Sequence, residues 1–173
     1  MYPHRQSNRR SFLQLLAAGT AVSLVSVSGL RALAESSGGQ STDWSALTDE
    51  EWRRRLTEDE FRIMREADTE PAFSSPQNDE KRPGTFICAG CELALFSSET
   101  KFMSGTGWPS FYEPLPDGVD TKLDFKLVIP RTEYHCRRCG SHQGHIFDDG
   151  PEPTGKRYCN NGVALDFVPD TMA

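Results

Sequence analysis

The sequence predicts a mainly β chain led by short N-terminal helices, on three observations. Thr48 and Thr57 each stand three residues ahead of a glutamate, Glu51 and Glu60, at the head of runs with helical spacing. Beyond Pro76, Gly, Pro and Asp recur every few residues between short runs such as Thr85-Phe86-Ile87 and Phe125-Lys126-Leu127-Val128-Ile129, a pattern of antiparallel strands joined by long loops. Two C-x-x-C pairs, Cys88 with Cys91 and Cys136 with Cys139, fall inside that β region.

In chain order, the first segment is basic at Arg5, Arg9 and Arg10, apolar or small from Phe12 to Leu30, and closes on Ala32-Leu33-Ala34, so residues 1–34 read as a signal peptide. Its paired arginines followed by Ser11-Phe12-Leu13 resemble a twin-arginine export signal, with Asn8 where that pattern usually has Ser or Thr. The competing reading is a membrane anchor, since the run is almost long enough to span a bilayer. Gly19, Thr20, Ser23, Ser26, Ser28 and Gly29 dilute its hydrophobicity, and the small-x-small site follows at once. The expectation is an exported protein of the bacterial periplasm or another extracytoplasmic space, with no stable membrane association after cleavage.

Cleavage would remove four of the 19 basic residues and none of the 25 acidic ones, leaving a charge of −10. That excess argues against nucleic acid as a partner, because no basic stripe is left to neutralise phosphates. Arg53 to Arg55 and the pair Arg137-Arg138 are short, and suit a solvated helix face and the tip of a cysteine loop.

Residues 35–46, which open E-S-S-G-G-Q-S-T-D, lack apolar periodicity and read as a linker. Residues 47–173 suit one domain, with bulky apolar area available from the 10 Phe, three Trp and four Tyr of the chain. Within it, Phe61, Met64 and Arg65 fall on adjacent turns, predicting a short amphipathic helix from Glu58 to Ala67 that Thr69-Glu70-Pro71 ends. No repeat and no dinucleotide or phosphate-loop fingerprint is present.

Exported chains usually pair their cysteines, so two disulfides are the first reading of the four knuckle cysteines. The spacing favours a metal. A C-x-x-C loop aims two sulfurs at one point, each loop has a glycine near its turn (Gly90, Gly140), and two such loops close a four-thiolate zinc site. The 44 residues between Cys91 and Cys136 would make that zinc a tie between distant parts of a sheet.

Cys159 is left over. Alone, it reads as a buried thiol at a strand end. Three of the four histidines, however, lie between His135 and His145, and His142 and His145 follow closely on the second knuckle. A thiol beside rigidly held imidazoles is the arrangement of an activated nucleophile.

These residues extend into a wider pattern: Thr69-Glu70-Pro71 with Phe73, Cys88-Ala89-Gly90-Cys91, Lys101-Phe102 with Ser104-Gly105, Gly107-Trp108-Pro109-Ser110-Phe111, the run from Cys136 to Phe147, and Arg157-Tyr158-Cys159 with Asn161, Ala164, Leu165 and Phe167. From Leu47 to Phe167 the chain resembles a B-type methionine sulfoxide reductase. The resemblance implies two antiparallel β-sheets with short N-terminal helices, stapled by one structural zinc ion.

It also implies a peptide-methionine (R)-S-oxide reductase that repairs oxidised exported proteins. Cys159 would attack the sulfur of the R epimer of methionine sulfoxide, and His145 and His142 would deliver the proton that the oxygen needs to leave. Trp108, with Phe147, would wall the substrate methyl group. Asn161 would hydrogen-bond near the reacting centre, and Arg157 would favour the thiolate by its charge. The product is a sulfenic acid on Cys159. Many relatives carry a resolving cysteine where this chain has Thr106, so the reductant would be an external thiol, thioredoxin-like or small. Asn160 and Gly162 also depart from the residues usual beside the nucleophile. A monomer is expected. The competing readings are a zinc-stabilised binding module without turnover and a thiol peroxidase using the same thiolate.

Overall fold

The computed structural model describes residues 42–126 and 130–171. The expected signal peptide lies outside them, as do residues 35–41 of the linker and residues 127–129. The folded unit takes in the end of the linker, where Trp44 stacks on Trp52 with ring centroids 5.9 Å apart.

Both capping boxes form. Thr48 starts helix α1 (Asp49–Arg55), donating its backbone N–H to Glu51 Oε2 at 2.8 Å while its hydroxyl accepts from the Glu51 N–H at 3.3 Å. Thr57 and Glu60 repeat this at helix α2 (Glu58–Glu66), each cap contributing about 1 kcal/mol. Helix α2 stops at Ala67, which turns into the left-handed region. Its buried side chains are Phe61, Ile63 and Met64. Arg65 instead lays its guanidinium over the Trp52 ring and donates to the Cys139 carbonyl at 3.1 Å, tying the helices to the second knuckle.

Nine strands follow among the described residues: β1 (Gly84–Cys88), β2 (Ala94–Ser97), β3 (Lys101–Phe102), β4 (Ser110–Phe111), β5 (Val119–Asp124), β6 (Arg131–Cys136), β7 (His142–Phe147), β8 (Arg157–Asn160) and β9 (Leu165–Pro169). They form two antiparallel sheets, ordered β2-β1-β9 and β3-β4-β8-β7-β6-β5. The expected strand Thr85–Ile87 lies in β1. Of the expected run 125–129, residues 127–129 lie outside the described residues, and Phe125 and Lys126 follow β5 without extending it. Phe125 is exposed, whereas the polar sequence Val119–Asp124 is held extended by six paired residues on β6, so pairing outweighs its weak apolar pattern.

Between the sheets, Phe96 and Phe111 stack at 4.2 Å and Phe86 meets Phe111 edge-on at 5.0 Å. Such pairs add about 1 kcal/mol beyond burial. The four knuckle cysteines belong to this same core. Among the described residues no helix is long and apolar enough to cross a membrane.

Candidate functional site

Residues directly opposite one another in antiparallel strands share a face. The registers therefore lay one row across five strands: Lys122 on β5, Glu133 on β6, His145 on β7, Cys159 on β8 and Ser110 on β4. Two residues along each strand the same face returns, bringing in the pairs Asp124–Arg131 and Phe147–Arg157. The other face carries Tyr134, Tyr158 and Phe111 into the core. Alternation on the strands thus separates a polar reactive face from an aromatic one.

The β6–β7 register slips between Tyr134 and His135, leaving Gln143 as an extra residue on β7. Three residues apart on a regular strand, His142 and His145 would point to opposite faces. The bulge turns them together, with ring centroids 5.4 Å apart. Gly144 follows, and a Cβ there would lie 1.8 Å from the Cys159 carbonyl oxygen, so only glycine lets β7 run this close to the strand of Cys159.

A cavity of about 120 Å³ opens on this face against Trp108, Arg131, His145, Phe147, Cys159 and Asn161. His145 Nε2 lies 2.8 Å from Asp124 Oδ2. Asp124 also accepts from the Lys126 N–H at 2.9 Å and from Arg131 at 2.7 Å. The Lys126 N–H first, then His145, hold its carboxyl well below the usual carboxylate range. A carboxylate only accepts, so Nε2 carries the proton and Nδ1 keeps the lone pair of the neutral ring. Burial pushes the His145 pKa down, against that bond to Asp124. Burial also pushes the Cys159 thiol up, opposed by the Arg157 charge and the Thr106 hydroxyl. Thiol and neutral imidazole are therefore the resting forms.

Trp108 reaches the cavity from a loop. Gly107 has φ +94°, and a Cβ there would meet Ala72 and the Phe73 ring at 2.9 Å. Its carbonyl accepts from the Phe73 N–H at 2.7 Å, and the Trp108 indole N–H donates to the Glu70 carbonyl at 3.1 Å. Asn161 donates from its backbone and from Nδ2 to the Gln143 carbonyl, at 2.8 and 3.1 Å.

Two expected site residues do not line the cavity. His142 is buried, with Nδ1 2.9 Å from Glu133 Oε1, and burial pushes its pKa down. Arg157 forms a fork with Asp149 at 2.8 and 2.9 Å and stacks 4.3 Å over Phe147. Its charge still acts on Cys159, but the larger effect of burial outweighs it. Both departures beside Cys159 have physical reasons. Asn160 is buried and accepts from the Tyr134 hydroxyl at 2.7 Å, and a Cβ at Gly162 would lie 1.8 Å from Ser75 Oγ.

The knuckles also converge. The sulfurs of Cys88, Cys91, Cys136 and Cys139 lie within 4.8 Å of one another, all buried, in a group that could hold a metal ion. Cys88 and Cys139 are 3.7 Å apart, Cys91 and Cys136 3.5 Å. A tetrahedral ion with bonds of about 2.3 Å would space its sulfurs by about 3.8 Å, whereas a disulfide needs about 2.05 Å. All four thiols are free. Gln143 Nε2 donates to Cys88 Sγ at 3.5 Å, and its carbonyl holds Asn161, so one bulge residue links the sulfur cluster to the cavity.

Sequence reasoning missed the residues that act through others: Asp124 behind His145, Glu133 behind His142, Asp149 behind Arg157. Each is a carboxylate whose partner comes from strand pairing or a loop, and no spacing rule marks it. Glu70 was visible as part of a helix stop and of the family pattern, with no role of its own.

The SelR domain matches residues 56–169. A chloroplastic peptide methionine sulfoxide reductase B1 from Oryza sativa subsp. japonica is 53% identical over 122 residues, covering 70% of this chain and 57% of that protein. Its Arabidopsis thaliana namesake is 47% identical over 127 residues, covering 73% and 63%. A peptide methionine sulfoxide reductase MsrB from Leptospira interrogans is 49% identical over 121 residues, covering 69% and 92%. The chain thus spans 57% and 63% of the length of the two plant relatives and most of the bacterial one. With the SelR domain matching most of this chain and relatives near half identity, the chain belongs to the SelR-domain family, the B-type methionine sulfoxide reductases.

Proposed function

We propose that this protein reduces the R epimer of methionine sulfoxide in peptides and proteins, with Cys159 as nucleophile. The observation that carries the reading is the pairing of Cys159 directly opposite His145, with Asp124 behind the ring, in a cavity walled by Trp108 and Phe147. The names of the relatives support the same chemistry.

In this reading the Nδ1 lone pair of His145 takes the Cys159 proton, and Asp124 stabilises the imidazolium that forms. The thiolate attacks the sulfoxide sulfur while that proton passes to the sulfoxide oxygen. The new S–S bond expels the oxygen as hydroxide when the S–O bond breaks; that hydroxide then attacks Cys159 Sγ, the S–S bond breaks with its electron pair left on the methionine sulfur, and methionine leaves with Cys159 as a sulfenic acid. The sulfoxide has gained two electrons and the cysteine has lost two. Trp108 and Phe147 hold the methyl group, Asn161 steadies the reacting centre, and Arg157 packs Phe147 and favours the thiolate. His142, off the cavity, supports the ring of His145.

The four knuckle cysteines fit one structural zinc ion per chain. When bound it supplies a tie between β1 and the turn after β6, and no step of the reaction uses it. With those thiols in the cluster and Thr106 beside Cys159, the sulfenic acid is met from outside. One external thiol, thioredoxin-like or small, expels water to form a mixed disulfide, and a second frees Cys159. The basic-apolar N-terminus supports export, hence repair of oxidised extracytoplasmic proteins. Trapping tests the chemistry: one equivalent of a methionine sulfoxide peptide, without reductant and with dimedone, should add one dimedone to Cys159. Labelling elsewhere, or without sulfoxide, would overturn it.

A further inference from the structure

Glu70 is 6% exposed, yet it carries a carboxylate. Both oxygens bind one turn: Oε1 accepts the Gly162 N–H at 2.6 Å and Oε2 the Val163 N–H at 3.0 Å, at the start of the 3-10 segment Gly162–Ala164 that follows the nucleophile strand. Burial pushes the Glu70 carboxyl up despite those two bonds. A buried charge is costly, and satisfying it with backbone N–H groups locks both partners in place.

The main chain of the same residue holds two groups that line the cavity, Trp108 and Asn161. Its carbonyl accepts the Trp108 indole N–H at 3.1 Å and its N–H donates to Asn161 Oδ1 at 3.1 Å. Indole has one donor, so this bond alone orients the ring by hydrogen bonding. Asn161 has a second anchor on Gln143. Trp108 is therefore the group more exposed to any shift of Glu70.

We propose that Glu70 is a positioning residue for substrate binding: its carboxylate, clamped to the 162–163 turn, sets the peptide that orients Trp108 and braces Asn161. The inference rests on the reductase reading for its kinetic consequence and on geometry alone for the orientation of Trp108. In Glu70→Gln, the amide nitrogen would face a backbone N–H, so one of the two bonds is lost and the turn loosens.

The test compares wild type, Glu70→Gln, Trp108→Phe and the double variant in the full chain. Glu70→Gln should raise KM for a methionine sulfoxide peptide about tenfold, the loss of one charge-assisted bond, with kcat held within about threefold. Metal content and the rate of Cys159 alkylation by iodoacetamide should stay unchanged. By NMR, hydrogen exchange of the Trp108 indole N–H, assigned by its absence in Trp108→Phe, should quicken about tenfold. The double variant should have the KM of Trp108→Phe, since Glu70 acts through that ring. Unchanged KM, unchanged indole exchange, multiplying effects on KM, or slower alkylation matching the loss of activity would overturn the proposal. Should Glu70→Gln not fold, Glu70→Asp, too short to reach both N–H groups, carries the same comparison. If the wild type reduces no sulfoxide, the reductase reading falls, and indole exchange still decides the positional claim.

Discussion

Asp124→Asn is the sharpest test of how the His145 ring is prepared. The carboxylate holds Nε2–H at 2.8 Å and leaves Nδ1 bare. An asparagine amide can donate to Nε2 instead, which moves the ring proton to Nδ1 and removes the lone pair that would take the Cys159 proton. A hydrogen bond to a charged group is worth about 1.5–3 kcal/mol, so single-turnover reduction of an R-sulfoxide peptide at pH 7 should slow about 10- to 100-fold. His145→Ala should slow it at least as much, and adding Asp124→Asn to it should change nothing further. Acidity provides an independent readout. The depressed Asp124 pKa stabilises the fold fully above its ordinary value of 3.8, and that stability is lost as pH falls towards the folded value. Asp124→Asn should therefore melt below wild type at pH 7, and the gap should narrow below pH 3.8. Rates within threefold of wild type, or costs that multiply in the double variant, would refute the orienting role.

Two further outcomes follow from the sulfur cluster and the cavity rim. Cys136→Ser removes one of four ligands from a buried tie whose metal contributes about 10 kcal/mol or more to comparable folds; zinc by metal analysis should fall well below one per chain and the cooperative melt should disappear, whereas a folded, metal-free variant would remove the structural zinc. Thr106→Cys places a thiol where a hydroxyl now works to lower the pKa of Cys159, so one turnover without reductant should yield an internal disulfide between residues 106 and 159 by mass spectrometry, and a persisting sulfenic acid would show that the two positions do not meet.

What the sequence disclosed was chiefly local. The capping boxes at Thr48 and Thr57 form as written because every group involved lies within four residues, and the knuckles converge because each C-x-x-C loop aims its own sulfurs. Cys159, His145, Trp108, Phe147 and Asn161 were visible as a pattern, and all five meet at one cavity. What escaped depends on strand pairing. The bulge at Gln143 that brings His142 beside His145 is a property of the β6–β7 register. The withdrawal of His142 to Glu133 and of Arg157 to Asp149 depends on carboxylates distant in sequence or loop geometry. Strand β5 escaped because its polar sequence is extended by its neighbour, and Asp124 escaped with it.

The most direct measurement follows each epimer of a dabsyl-methionine sulfoxide separately with dithiothreitol as reductant, comparing the protein with Cys159→Ser. The account predicts turnover of the R epimer alone, abolished in the variant while zinc stays bound. Turnover of the S epimer, turnover surviving without Cys159, or no turnover by folded, zinc-loaded protein would contradict it.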